Sequence, residues 1–182
     1  MARLLNLYHK EIISKLQKEC NIKNKMAVPK ILKITLNMGV GSANKNKNFL
    51  ENSKKDLELI AGQAAKITRS RSCHSSFKIR TGFPIGVMVT LRRKKMYEFL
   101  DRLISVTLPS VRDFNGFPAS SFDGRGNFNL GIKEHISFAE IDYDLTDRIK
   151  GLNISIETST DDDVQAEALL RAFNFPLRTK ED

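Results

Sequence analysis

Ile31-Leu32-Lys33-Ile34-Thr35-Leu36-Asn37-Met38 is the stretch that decides the fold. Leu32, Ile34, Leu36 and Met38 alternate with Lys33, Thr35 and Asn37, a period of two that predicts a strand buried on one side and polar on the other. The chain enters from Ala27-Val28-Pro29, where the coming proline steers the backbone into an extended path. It leaves through a glycine turn at Gly39 and Gly41. The same alternation returns at Val87, Val89 and Leu91 against Met88, Thr90 and Arg92. It returns again at Phe128, Leu130 and Ile132 against Asn127, Asn129 and Lys133, and at Leu152, Ile154 and Ile156 against Asn153, Ser155 and Glu157. Ala65 to Arg69 predicts a short fifth strand.

Between the strands the period changes to three and four, which predicts amphipathic helices. Leu5, Tyr8, Ile12, Leu16 and Cys20 form one stripe; Leu50, Leu57, Ile60 and Ala61 form another, stopped at Gly62. Met96, Phe99, Leu100, Leu103, Ile104 and Leu108 form the fullest, with Pro109 as its expected stop. A last helix is expected to open at Thr160 with Asp161, Asp162 and Asp163, whose acids suit the positive end of a helix dipole. The simplest packing is an α+β fold: one mostly antiparallel sheet of about five strands, helices on its apolar face, the other face open. Lys33, Thr35, Asn37, Thr90, Arg92, Asn127, Asn129 and Lys133 would line that open face. Some seventeen residues from Ser70 to Gly86 show no sustained period and predict a long loop, a length that usually marks function.

At 182 residues with 41% hydrophobic content the chain suits one globular domain, residues 1–182. No apolar run reaches the length of a membrane span and the N-terminus is no secretory signal, which leads us to expect a soluble intracellular protein. Cys20 and Cys73 stand far apart and imply no disulfide framework. The formal charge of +9 is unevenly spread: residues 1–97 carry +16 and residues 98–182 carry −7. Such a chain can hold a polyanion with its basic half and offer its acidic half to a basic partner.

The stretch from Leu59 to Tyr97 holds Lys66, Arg69, Arg71, Lys78, Arg80, Arg92, Arg93, Lys94 and Lys95 and no acid at all. In its loop, Phe77 and Phe83 add rings that can stack on an unpaired base or pack beneath the loop. Asn37, Gln63 and Thr90 both give and accept hydrogen bonds, which suits ribose hydroxyls and base edges. Other chemistries fit less well. Gly39 and Gly41 lack the third glycine of a dinucleotide fingerprint, Asn44 standing in its place, and the ending of a P-loop is absent. Cys73 and His74 have no metal-type spacing or evident base. Glu140, Asp142, Asp144 and Asp147 do not match a calcium loop.

Lys33-Ile34-Thr35-Leu36-Asn37-Met38-Gly39-Val40-Gly41, Phe77-Lys78-Ile79-Arg80-Thr81-Gly82-Phe83-Pro84-Ile85-Gly86, Ser121-Phe122-Asp123-Gly124-Arg125-Gly126-Asn127, Glu140-Ile141-Asp142-Tyr143-Asp144 and Phe173-Asn174-Phe175-Pro176 resemble signature stretches of bacterial large-subunit ribosomal protein five. The resemblance implies a non-enzymatic protein of the cytoplasmic ribosome, in the central protuberance, with no cofactor, metal, membrane or small-molecule substrate. It implies contact with 5S ribosomal RNA through Lys33, Thr35, Asn37, Gly39, Gln63, Thr90 and Arg92. The loop residues Arg69, Arg71, Phe77, Lys78 and Arg80 would face 23S ribosomal RNA and the transfer RNA of the peptidyl site. Glu140, Asp142 and Asp144 would face small-subunit protein thirteen in an intersubunit bridge, and other 5S-associated large-subunit proteins would be neighbours. Two places depart from the family pattern: Cys73-His74-Ser75-Ser76 replaces a more aliphatic tip with an extra lysine, and Ala139 stands where proline is usual.

Overall fold

The apolar alternations resolve into a five-stranded sheet of order β2-β3-β1-β5-β4. The strands are β1 (Ile31–Gly39), β2 (Lys66–Arg69), β3 (Pro84–Leu91), β4 (Phe128–Ile132) and β5 (Leu152–Thr158). The helices are α1 (Arg3–Leu7), α2 (Ile13–Glu19), α3 (Lys47–Ala61), α4 (Arg93–Arg102), α5 (Leu108–Ser110) and α6 (Asp163–Ala172). This computed structural model describes residues 2–41, 47–112, 114–143 and 146–178. The expected fold class holds: α+β, with helices against one face of an antiparallel sheet. No helix among the described residues is long and apolar enough to cross a membrane.

The chain packs as two compact units. The first comprises Met1–Ile34, Leu91–Leu130 and Ser155–Asp182. Its core holds Leu4, Ile12, Leu16, Met96, Phe99, Leu100, Phe128, Leu169 and Phe173, all buried. Tyr8 stacks on Phe173 at 6.1 Å and donates its hydroxyl to the Pro29 carbonyl at 3.0 Å, tying the first helix to the entry of β1. Burial raises the Tyr97 phenol to about 12, so it stays a neutral core group.

Two π turns shift the predicted helical stripes. Tyr8–Ile12 joins α1 to α2, and the wider turn puts Leu4 rather than Leu5 in the core. Leu103–Thr107 joins α4 to α5, and the helix runs through Pro109 to Ser110 instead of stopping before it. The loosened ladder ahead of Pro109 accommodates its ring and its missing N–H. The last helix starts later than expected: Asp162 is its cap, accepting from Val164 N–H at 3.0 Å, while Thr160 turns back to accept from Asp162 N–H at 3.2 Å.

The Ser121–Asn127 motif is a loop built around two carboxylates. Asp123 accepts from the N–H groups of Arg125 and Asn127 and from the Asn127 amide. Asp163 accepts from Gly124 and Gly126 N–H at 3.1 and 2.7 Å. The Asn127 bonds, the side-chain one foremost, hold the Asp123 carboxyl below its ordinary range. Asn127 therefore helps to build this loop.

The second unit comprises Thr35–Thr90 and Gly131–Ile154. Leu36, Met38, Val87, Val89, Ile132 and Ile154 are buried together with Leu50, Leu57, Ile60 and Ala61 of α3, as the two periodicities predict. The expected turn at Gly39 and Gly41 is followed by Ser42–Asn46, the polar tract with Asn44, which lies outside the described residues. One residue of the deciding stretch departs from its expected inward position: Leu32 is 38% exposed and Ile31 is buried. Strict alternation of buried and more open residues begins only at Ile34.

Candidate nucleic-acid interface

The interface begins with how α3 ends. Gly62, at φ +60°, takes the left-handed conformation that closes the helix, and its N–H donates to the Glu58 carbonyl at 2.9 Å. The Glu58 carboxylate then accepts from Ala65 N–H at 2.9 Å, so the short link to β2 has one defined path. Gln63 sits in that link and donates its side-chain amide to the Thr90 carbonyl at 3.1 Å. Gln63 and Thr90, twenty-seven positions apart in sequence, are thus brought together, and the bond leaves the Gln63 amide oxygen as an acceptor.

Around this pair the second unit arrays the polar side of its strands. Thr35, Asn37 and Gly39 alternate with the buried Leu36 and Met38, with Asn37 and Gly39 exposed and Thr35 partly so. β2 pairs antiparallel with β3, matching Lys66 to Met88 and Thr68 to Gly86. Lys66 and Thr68 therefore join Met88 in the outward-facing set, and the pattern in β2 is too short to announce those two. Gly86 permits this close layering: a Cβ there would come within 2.9 Å of the Met38 carbonyl and 3.0 Å of the Thr68 hydroxyl.

Two of the expected RNA-facing residues belong to the first unit. Lys33 is half-buried and forms an ion pair with Glu157 at 2.6 Å, so part of its charge is answered within the protein. Arg92 lies just past the end of β3, exposed and flanking α4, because Arg93 at φ +51° turns the chain there. Lys94, at the start of α4, pairs loosely with Glu98 at 3.7 Å.

The loop after β2 is more ordered than its sequence. β3 begins at Pro84, and residues 70–83 continue the β2–β3 pairing outward as a projecting hairpin. Ser70 N–H donates to the Phe83 carbonyl at 2.8 Å and Gly82 N–H to the Ser70 carbonyl at 3.0 Å. Farther out, His74 and Ile79 exchange both backbone bonds, at 2.9 and 3.0 Å. A register shift between Thr68 and Arg69 marks the root, where a bulge bends the strands. Arg69 spends part of its guanidinium on the Gly82 carbonyl at 3.1 Å. Arg71, Lys78 and Arg80 lie exposed along the arm, and Phe77 at its tip is 72% exposed with the edge of His74 beside it, ring centres 6.5 Å apart. Phe83, at 36%, is partly covered.

The acidic residues expected to meet a protein partner fall on the segment after β4. Glu140 is partly exposed and Asp142 exposed; Asp144 lies outside the described residues. Beside them Tyr143 and Ile149 are 71% and 58% exposed. The turn at Ala139 is closed by a bond from Ile141 N–H to the Phe138 carbonyl at 3.1 Å. Among the described residues no group of three or more His, Cys, Asp or Glu side chains could hold a metal ion.

Two family models match in succession: ribosomal protein L5 over residues 24–80, and the ribosomal L5P family C-terminus over residues 84–177. The large ribosomal subunit protein uL5 of Xylella fastidiosa strain M23 is 57% identical over 178 residues, covering 98% of this chain and 99% of its own. Its counterpart in Dichelobacter nodosus is 54% identical over the same shares. With both models in order and relatives alike from end to end, the chain belongs to the ribosomal protein L5 family.

Proposed function

We propose that this chain is a structural, non-catalytic constituent of the large ribosomal subunit in the cytoplasm, acting as one module that binds 5S ribosomal RNA and helps attach it to 23S ribosomal RNA. The observation that carries the RNA reading is the set of groups in the second unit: Thr35, Asn37 and Gly39 on β1, with Gln63 bonded to Thr90. These are fixed, uncharged donors and acceptors, which read ribose and base geometry, and Lys66 stands among them as a phosphate partner. In the first unit, Lys33 and Arg92 are the cations that the same reading assigns to phosphates. Affinity in this division of labour comes from cations releasing counterions, and selectivity from hydrogen bonds held at set positions.

The projecting hairpin suits a second RNA contact. Arg71, Lys78 and Arg80 follow phosphates, Arg69 stiffens the root, and exposed Phe77 offers a ring to an unpaired base. We assign this arm to 23S ribosomal RNA and to the transfer RNA of the peptidyl site. The acidic segment with Glu140, Asp142 and Asp144 suits a basic protein, and we assign it to small-subunit protein thirteen, with the other 5S-associated proteins as neighbours. Equilibrium binding of 5S RNA across a salt series is the test. A preference over an unrelated structured RNA that persists at high salt is expected; equal affinity for both would refute the reading.

A further inference from the structure

The segment between His135 and Lys150 closes on itself at its base. His135 N–H donates to the Lys150 carbonyl at 3.0 Å, and Lys150 N–H donates to His135 Nδ1 at 3.2 Å. That second bond leaves the imidazole proton on Nε2, which has no close hydrogen-bond partner and lies 3.5 Å from Asp56 Oδ2 of α3. Lys150 Nζ donates to the same oxygen at 2.7 Å and lies 4.9 Å above the centre of the Phe49 ring. His135 and the Lys150 side chain are 0% and 4% exposed. Farther along, the Asn52 amide donates to the Asp147 carboxylate.

A buried ion pair is an expensive fastener, since well-packed apolar side chains of similar volume hold as firmly. What it supplies is direction: an ammonium, an imidazole and a carboxylate meet at one oxygen and admit one arrangement. The segment fixed this way displays Asp142, Tyr143 and Ile149 on its outer side.

We infer that Asp56, His135 and Lys150 form a clasp that positions residues 136–149 on α3 and so sets the orientation in which Asp142, Tyr143 and Ile149 meet a basic protein. The last step rests on the partner-facing reading of that segment; the clasp itself does not. These are positioning residues, because none of them is exposed to the partner.

Hydrogen exchange on the full chain tests the clasp, read at the amides of Phe138, Ile141 and Thr146, each bonded within the segment. Lys150→Met is expected to lower protection there about tenfold or more, with β1 and β3 unchanged, and Lys150→Arg to recover most of it. Unchanged protection in Lys150→Met, or no recovery with arginine, overturns the clasp. Where Lys150→Met lowers protection throughout the chain, Asp56→Asn decides: a loss confined to 136–149 supports the clasp and no local loss overturns it. The partner step is read separately, as association of large subunits carrying each variant with small subunits. Weakening by both Asp142→Lys and Lys150→Met supports it; no effect of Asp142→Lys refutes the partner-facing reading and leaves the exchange result to stand for the clasp.

Discussion

Replacing Gly126 with alanine should be among the most damaging small changes in this chain, and its neighbour supplies the control. Gly126 has φ +72° and Gly124 φ +79°, and each donates its N–H to Asp163. An L side chain in that conformation costs about 1–2 kcal/mol. At Gly124 a new Cβ would meet nothing within 4 Å, so Gly124→Ala should cost only that conformational term. At Gly126 the Cβ would lie 2.1 Å from the Thr160 carbonyl oxygen, which is backbone and cannot rotate away. The loop must move, and the 2.7 Å bond to Asp163 and the bond from the Thr158 hydroxyl to the Gly126 carbonyl, also 2.7 Å, go with it. A bond to a charged group is worth about 1.5–3 kcal/mol and a neutral one about 0.5–1.5 kcal/mol. The expected total is about 3–6.5 kcal/mol, against about 1–2 kcal/mol for Gly124→Ala. Urea unfolding of both variants measures the difference, provided the slope with denaturant is unchanged. Equal losses at the two positions would refute the reasoning, because only Gly126 of the pair has the close approach.

Three further outcomes are expected. The Asp56 carboxyl is pushed up by burial, but the Lys150 ammonium at 2.7 Å, with the His135 ring beside it, outweighs that and leaves it below its ordinary range. A depressed carboxyl stabilises the fold above its unfolded value and loses that contribution as pH falls through the folded one, so Asp56→Asn should flatten the acid limb of stability from about pH 4 downward; an unaltered acid limb would count against it. Glu157→Gln frees Lys33 from its 2.6 Å ion pair, so 5S RNA affinity should rise at low salt and the slope against log salt should steepen by up to about one unit. An unchanged slope would place Lys33 away from phosphate. Gln63→Ala should weaken 5S binding by about 0.5–1.5 kcal/mol at all salt concentrations, whereas Arg80→Ala should weaken contact with 23S RNA chiefly at low salt, read by footprinting and salt titration.

How much of this is legible in the residues depends on whether burial imposes a period. Leu36, Met38, Val87 and Val89 must face a core on one side while their neighbours face a polar surface, so their alternation can be read from the residues alone. Residues 70–83 have no core on either side. Nothing obliges such a hairpin to alternate, and its pairing is carried by backbone bonds that leave no trace in side-chain type. The π turns are hidden for a related reason: Pro109 reads as a stop only if the ladder before it is α-helical.

The sequence by itself determined the two periodicities, the charge polarity and the kinds of group available to meet RNA, because these follow from composition and spacing along one dimension. It also carried the motifs that mark the ribosomal protein L5 family. Only the tertiary structure decided which of those groups act together. It joined Gln63 to the Thr90 carbonyl, gave part of the Lys33 charge to Glu157, tied the Asn127 amide to Asp123, and put Asp56 beside His135 and Lys150. Those pairings depend on strand register and chain closure over tens of residues, and register is set by the whole sheet rather than by any stretch read alone.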